Sequence, residues 1–309
     1  MPSSSNFTYL GPEGTFTEAA LRTLPEAATR VLVPMISVPA ALDAVRRGEA
    51  GAAMVPLENS VEGAVSVTLD ELATREPLTI VREVFLPIAF ALLARPGTTL
   101  ESIKTVTAHP HAQPQVRQWL AEHLPEAVWE SSASNADGAR QVQEGRFDAA
   151  FAGEFAAERY GLVPLVTEIH DAPNAITRFV LVARPARVPA PTGADRTSLV
   201  LQLPDDHPGA LLELLQEFAV RGVNLTRIES RPTGEGIGRY FFSIDCDGHI
   251  AEARVGEALK GLRRICPDVR FLGSYPRADE VRTTPRPGTA DEDFTHAADW
   301  LSRCLDGRA

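Results

Sequence analysis

The sequence predicts an α/β protein in two parts: a long stretch of strands alternating with helices, then a compact β-α-β-β-α-β unit. Three observations predict it. Short apolar runs alternate with segments of helical periodicity from residue 7 to about 182. Three prolines then interrupt residues 184–196 (RPARVPAPTGADR), and the apolar pattern resumes in a second arrangement. Such alternation favours layered α/β structure with largely parallel sheets.

In the first part, residues 7–10, 31–33, 52–55, 79–93, 105–107, 149–151 and 179–183 read as strands. Residues 15–24, 38–47, 63–73, 113–123, 136–144 and 154–160 read as helices, with Ser37 and Ser134 as N-caps and Gly48 and Gly145 as stops. The proline-rich stretch is a linker. After it come strand 198–203, helix 209–221, strands 224–231 and 239–246, helix 250–264 and strand 269–275. Leu211, Leu212, Leu214, Leu215, Phe218 and Ala219 form an apolar stripe on the first of these helices. The order is ferredoxin-like. Two helices cannot cover both faces of a four-stranded sheet, so one face or edge is expected to meet a partner, and self-association follows. The tail beyond Pro276 is Pro- and Thr-rich, with a short amphipathic stretch around Phe294, Trp300 and Leu301.

A net charge of -11 argues against nucleic acid as a partner, because nucleic acid demands a basic surface. It also requires any anion site to be locally positive. Of 30 basic residues only Lys104 and Lys260 are lysine; the arginine excess suits carboxylate recognition, but genomic base composition accounts for it more readily. Cys246, Cys266 and Cys304 have neither disulfide-framework nor zinc spacing. The N-terminus lacks the pattern of a signal peptide, and the apolar run at residues 85–94 is too short to span a bilayer. A cytoplasmic protein without a membrane partner is expected.

Three loops combine residue types that suit chemistry. Gly11-Pro12-Glu13-Gly14-Thr15-Phe16 joins the opening strand to its helix and suits anion binding as well as a plain glycine turn. Val55-Pro56-Leu57-Glu58-Asn59-Ser60-Val61-Glu62-Gly63 places Asn59 and Ser60 ahead of another helix, as neutral donors or as caps. In Asn174-Ala175-Ile176-Thr177-Arg178-Phe179 a hydroxyl stands beside a guanidinium, a pairing for a leaving hydroxyl and a carboxylate. Residue types alone favour an ordinary strand start there. Gly234, Gly236 and Gly238 read as a flexible hairpin rather than a dinucleotide site, since no helix follows. His109 and His111 read as a helix entry without metal-ligand spacing, and Glu13, Glu58 and Glu62 receive no proton-transfer role.

GPEGTF, VPLENSVEG and TRF occur in the order and with the separations of the prephenate dehydratase family, which this chain resembles over residues 6–276. The resemblance extends to His109-Pro110 and Tyr160-Gly161-Leu162. Gly209-Ala210-Leu211 and Asn224-Leu225-Thr226-Arg227-Ile228-Glu229-Ser230-Arg231-Pro232 look like the family's ACT-domain motifs. His111-Ala112 stands where many relatives have Gln-Ala.

The resemblance implies a catalytic domain over 1–183, folded as two lobes around a cleft like type 2 periplasmic binding proteins. It further implies a linker over 184–196, an ACT domain over 197–276 and a tail over 277–309. Thr177 matches the residue essential for dehydration, Arg178 its carboxylate-contacting neighbour and Phe179 a packing residue; Gly14, Thr15, Asn59 and Ser60 match the substrate cleft. Gly209, Ala210, Leu211, Asn224, Leu225, Glu229, Ser230, Arg231 and Pro232 match the site where phenylalanine binds between paired ACT domains. The implied activity is conversion of prephenate to phenylpyruvate without cofactor or metal. The implied enzyme is monofunctional, inhibited by L-phenylalanine, and a homo-oligomer (dimer or tetramer) through its ACT domains. An arogenate dehydratase and a non-enzymatic amino-acid sensor are the alternatives.

Overall fold

The computed structural model describes residues 6–172, 174–203, 207–233 and 240–308; the glycine hairpin at 234–238 lies outside them. Two compact units result, Met1–Thr68 with Val84–Arg184, and Leu69–Glu83 with Pro185–Ala309.

The first stretch of chain runs β1 (Asn6–Leu10), α1 (Phe16–Arg22), β2 (Val31–Met35), α2 (Val38–Arg46), β3 (Ala52–Asn59), β4 (Gly63–Ala64), α3 (Ser66–Thr74) and β5 (Thr79–Pro87). It continues with β6 (Phe90–Ala94), β7 (Thr105–Ala108), α4 (Gln113–His123), β8 (Val128–Ser131), α5 (Asn135–Gln143), β9 (Ala149–Ala152), α6 (Ala156–Tyr160), β10 (Val163–Ile169) and β11 (Ile176–Ala183). One sheet has the order β2-β1-β3-β11-β5, with β4 beside β3; the other has β10-β6-β9-β7-β8. These are the two α/β lobes that the family resemblance implies.

The segment expected as one strand over 79–93 is two, because the chain leaves one sheet at Pro87 and enters the other at Phe90. It returns between β10 and β11, and the two crossings lie side by side, the Ile88 amide donating to the Ala175 carbonyl at 2.8 Å. Strands β8 and β10 have no counterpart in the apolar runs of the sequence; Pro164 and Glu168 break the apolar signal of β10, whose pairing with β6 is irregular. Helix α3 begins at Ser66 rather than 63, since Gly63 (φ 84°) pairs in β4 instead. Both faces of the second sheet are packed, one by Val106, Val116 and Phe151, the other by Leu93, Ala139 and Val142.

In the second unit β12 (Asp195–Gln202), α7 (Ala210–Ala219), β13 (Leu225–Pro232), β14 (Tyr240–Asp247), α8 (Ala253–Ile265) and β15 (Asp268–Pro276) form the expected β-α-β-β-α-β order. The sheet runs β13-β14-β12-β15, antiparallel throughout. The tail's amphipathic stretch is α9 (Asp291–Leu305), with Trp300 and Leu301 exposed.

One face of this sheet packs on α7 and α8 through Leu199, Ile244, Leu214, Phe218, Val255 and Leu262. The other face is covered by residues 69–83, so of the face or edge expected to meet a partner it is the edges that stay available. Arg231 binds Asp70 at 2.8 Å, Arg270 donates to the Leu72 carbonyl at 3.0 Å, and Arg196 meets Glu83 at 2.6 Å in a buried pair. At Gly273 (φ 137°) a Cβ would stand 2.3 Å from the Ile80 carbonyl oxygen, so only glycine permits this approach. Beneath that cover lies a polar layer: Ser198 bonds Asp245 and Tyr275, and Arg227 bonds Asp245 at 2.8 Å. The strands β13 and β15 remain as edges.

Candidate active site

Three chain reversals open at one end of the first sheet. Strands β1 and β3 are parallel, so the 11–15 loop and the 59–63 loop both follow carboxyl ends. Strand β11 runs antiparallel to β3, which brings its first residues to the same end. Ligands collect at such ends in open α/β sheets.

Thr177 pairs with Asn59 across β11 and β3. The Asn59 side-chain amide donates to Thr177 Oγ1 at 2.8 Å, while its oxygen accepts from the Val61 and Glu62 amides at 2.8 and 2.9 Å. Those two acceptances fix which way the amide points. Since Thr177 Oγ1 accepts from Asn59, its own proton is directed elsewhere. Ser60 behaves alike: its Oγ accepts from the Ile176 amide at 2.9 Å, leaving a hydroxyl proton to give. Thr177 is 8% exposed, so a group that reaches it leaves bulk water.

Arg178 is the next residue on β11 and pairs with Glu58, the neighbour of Asn59. Strand alternation sends these two couples to opposite faces. The Arg178 side chain is 6% exposed, with Nη1 3.8 Å from Glu58 Oε2. The structure therefore unites Asn59, Ser60 and Thr177 but sets Arg178 behind them. Phe179 is buried, opposite Pro56. Pro56 is tolerated within a central strand because β1 pairs only as far as Met54 and the β3–β11 ladder skips Leu57.

Thr15 is the N-cap of α1, accepting from the Glu18 amide and donating to the Leu10 carbonyl at 3.1 Å. Its hydroxyl is engaged within the loop. Gly14 (φ 82°) donates its amide to Glu18 Oε2 at 2.6 Å. Sequence reasoning missed Glu18, although Thr15-x-x-Glu18 is the capping-box pattern. A hollow of about 520 Å³ opens between α1 and α6, lined by Gly14, Thr15, Arg22, Phe155 and Arg159 among others. Asn59, Ser60 and Thr177 are not in its wall.

On the second lobe, His109 lies near enough to the 59–63 loop to feel the charge of Glu62. Burial and neighbouring His111 hold the His109 imidazole below its ordinary pKa, against the opposing pull of Glu62 on the first lobe. His109 Nδ1 accepts from the His111 amide, and its own amide donates to Asn135.

In the second unit, Gly209 (φ 96°) caps α7, Ala210 is buried, and Leu211 is partly exposed. Asn224 donates to Asp247 at 2.9 Å and Leu225 packs on the core. Glu229, Ser230, Arg231 and Pro232 lie on edge strand β13, with Arg231 committed to Asp70. Among the described residues no helix is long and apolar enough to cross a membrane, and no group of three or more His, Cys, Asp or Glu side chains is placed to hold a metal ion.

The chain has close relatives among known proteins. A family model for prephenate dehydratase matches residues 7–187, and one for the ACT domain matches residues 197–264. The chain is 52% identical over 299 residues to the prephenate dehydratase of Amycolatopsis methanolica, covering 96% of this chain and 97% of that one. It is 49% identical over 310 residues to that of Mycobacterium tuberculosis (strain ATCC 25177 / H37Ra), covering 97% and 94%. A crystal structure of prephenate dehydratase from Arthrobacter aurescens in complex with L-Phe superposes with a TM-score of 0.93 at 51% identity, over 97% of this chain and 99% of that one. A quorum-quenching acylase, GqqA, shares the fold at 30% identity and a TM-score of 0.77, over 88% and 97%. By the match of both regions, the chain belongs to the prephenate dehydratase family, with an ACT domain following its catalytic region.

Proposed function

We propose that the cleft takes prephenate, expels its ring carboxylate as carbon dioxide and its ring hydroxyl, which takes up one proton supplied by solvent, and releases phenylpyruvate, water and carbon dioxide. Aromatisation of the ring drives the step, so the protein need not generate a strong nucleophile. Its work is to hold a dianion and to assist a departing oxygen. The orientation of Thr177 by Asn59 carries this reading: the hydroxyl has an acceptor role already filled and a proton to offer to the leaving oxygen. A threonine is a weak acid, so it acts as a hydrogen-bond donor to developing charge in a site shielded from water. Ser60 supplies a second hydroxyl beside it. The family resemblance assigns a substrate carboxylate to Arg178.

The ACT domain is proposed to bind L-phenylalanine, the molecule with which the Arthrobacter aurescens relative is in complex, and to lower activity in a homo-oligomer by binding one arrangement of the enzyme more tightly than another. Phenylpyruvate absorbance from purified protein and prephenate, with and without phenylalanine, tests both halves. Turnover with prephenate that falls as phenylalanine rises is expected. Faster turnover of arogenate would reassign the substrate. Absence of product with phenylalanine still bound would leave an amino-acid sensor.

A further inference from the structure

Helix α6 ends at Tyr160, on the second lobe, and its side chain reaches the 11–15 loop of the first. The Tyr160 hydroxyl donates to the Glu13 carbonyl at 2.6 Å. The amide of the same peptide, on Gly14, donates to Glu18 Oε2 at 2.6 Å. One peptide plane is thus held at both ends, by a phenol from one lobe and a carboxylate from the other. The contact is built closely. A Cβ on Gly14 would stand 3.1 Å from Tyr160 Cε2 and 3.5 Å from Ala156 Cβ, and the positive φ there already calls for glycine. Around it, Arg159 pairs with Glu13, and the Phe16 ring meets Phe155 and Phe90 edge-on at 5.3 and 5.7 Å between centroids. Tyr160 is itself buried, and burial raises its pKa, which keeps the phenol protonated and able to donate.

We propose that Tyr160 is a positioning residue: with Glu18 it fixes the Glu13–Gly14 peptide, and through it holds the loop of Gly14 and Thr15 in the shape that receives substrate when the lobes are together. This rests on the dehydratase reading of the cleft. Tyr160 touches no reacting atom, so its loss is felt in substrate binding rather than in the chemical step.

Tyr160→Phe removes only the hydroxyl. The expected result is a KM for prephenate raised about 5–10-fold, the range of one net hydrogen bond, with kcat within about twofold and Tm little changed. A merely structural role would instead lower the active fraction, reducing kcat at constant KM. Glu18→Gln, which weakens the other end, is expected to raise KM as well. The double variant should exceed the larger single effect by little, because both act on one peptide. Hydrogen exchange at the Gly14 amide provides a readout independent of turnover and should quicken in Tyr160→Phe. Unchanged KM in an active Tyr160→Phe enzyme overturns the proposal. Wild-type protein that forms no phenylpyruvate overturns the proposed function instead, and unchanged Gly14 exchange then overturns the peptide clamp separately.

Discussion

Asn59 and Thr177 are separated by 118 residues in the chain and meet at 2.8 Å, donor to acceptor. The direction of that bond matters more than its length. Were the amide reversed, Thr177 would give its proton to Asn59 and have none for a substrate. Thr177→Ala is therefore expected to lose about 10²–10⁴-fold in kcat with a small change in KM. Asn59→Asp keeps the shape and the two backbone acceptances but presents an acceptor to Thr177. It should lower kcat by tenfold or more, measured by steady-state phenylpyruvate formation.

Arg178→Gln distinguishes two roles for a buried guanidinium. If Arg178 reaches a substrate carboxylate, KM rises by on the order of tenfold or more and Tm is nearly constant. If it serves the Glu58 face, Tm falls and KM holds. Kinetics and calorimetry on one preparation decide between them, and the proposed function expects the KM rise.

Acid should weaken the catalytic lobes through His109. Its folded pKa is depressed, so the unfolded chain takes up a proton first as pH falls. The stability at stake is fully present above the ordinary histidine value of about 6.5 and is lost as pH drops from there through the lowered folded value. His109→Gln should show a smaller drop in Tm than wild type between pH 7.5 and pH 5, numbers on the order of a histidine titration window.

The polar layer of the ACT sheet predicts an asymmetry between single and double replacement. Asp245 is fully buried and Arg227 nearly so. Asp245→Ala leaves the guanidinium without its carboxylate and should cost about 3–5 kcal/mol in urea unfolding. Replacing Arg227 by Met at the same time should recover much of that loss.

Much of this was legible in the sequence because it depends on local pattern. The β-α-β-β-α-β order of the second unit follows from periodicity, and Ser37 and Ser134 cap their helices as residue type suggests. The meeting of Asn59 with Thr177 is a matter of strand pairing and was reached only through motif resemblance. The break at Pro87, the sheet edge formed by β8 and the covering of the ACT sheet by residues 69–83 depend on contacts between distant segments. No spacing rule carries them. Glu18 was within reach, since its capping pattern is written in four consecutive residues; Tyr160 stands out only as part of a family motif, and its contact is not legible because its partner is a backbone carbonyl.

The strip from Leu69 to Glu83 also bears on how this protein can be cut or recombined. The proline-rich stretch invites scissors, yet a fragment ending there would carry the strip without the ACT sheet that it covers. A fragment beginning there would bare Ser198, Asp245 and Arg196 to solvent and lose the carboxylate of Glu83. Transplanting the sensor onto another enzyme therefore requires these fifteen-odd residues as part of the graft, although they are encoded more than a hundred positions upstream.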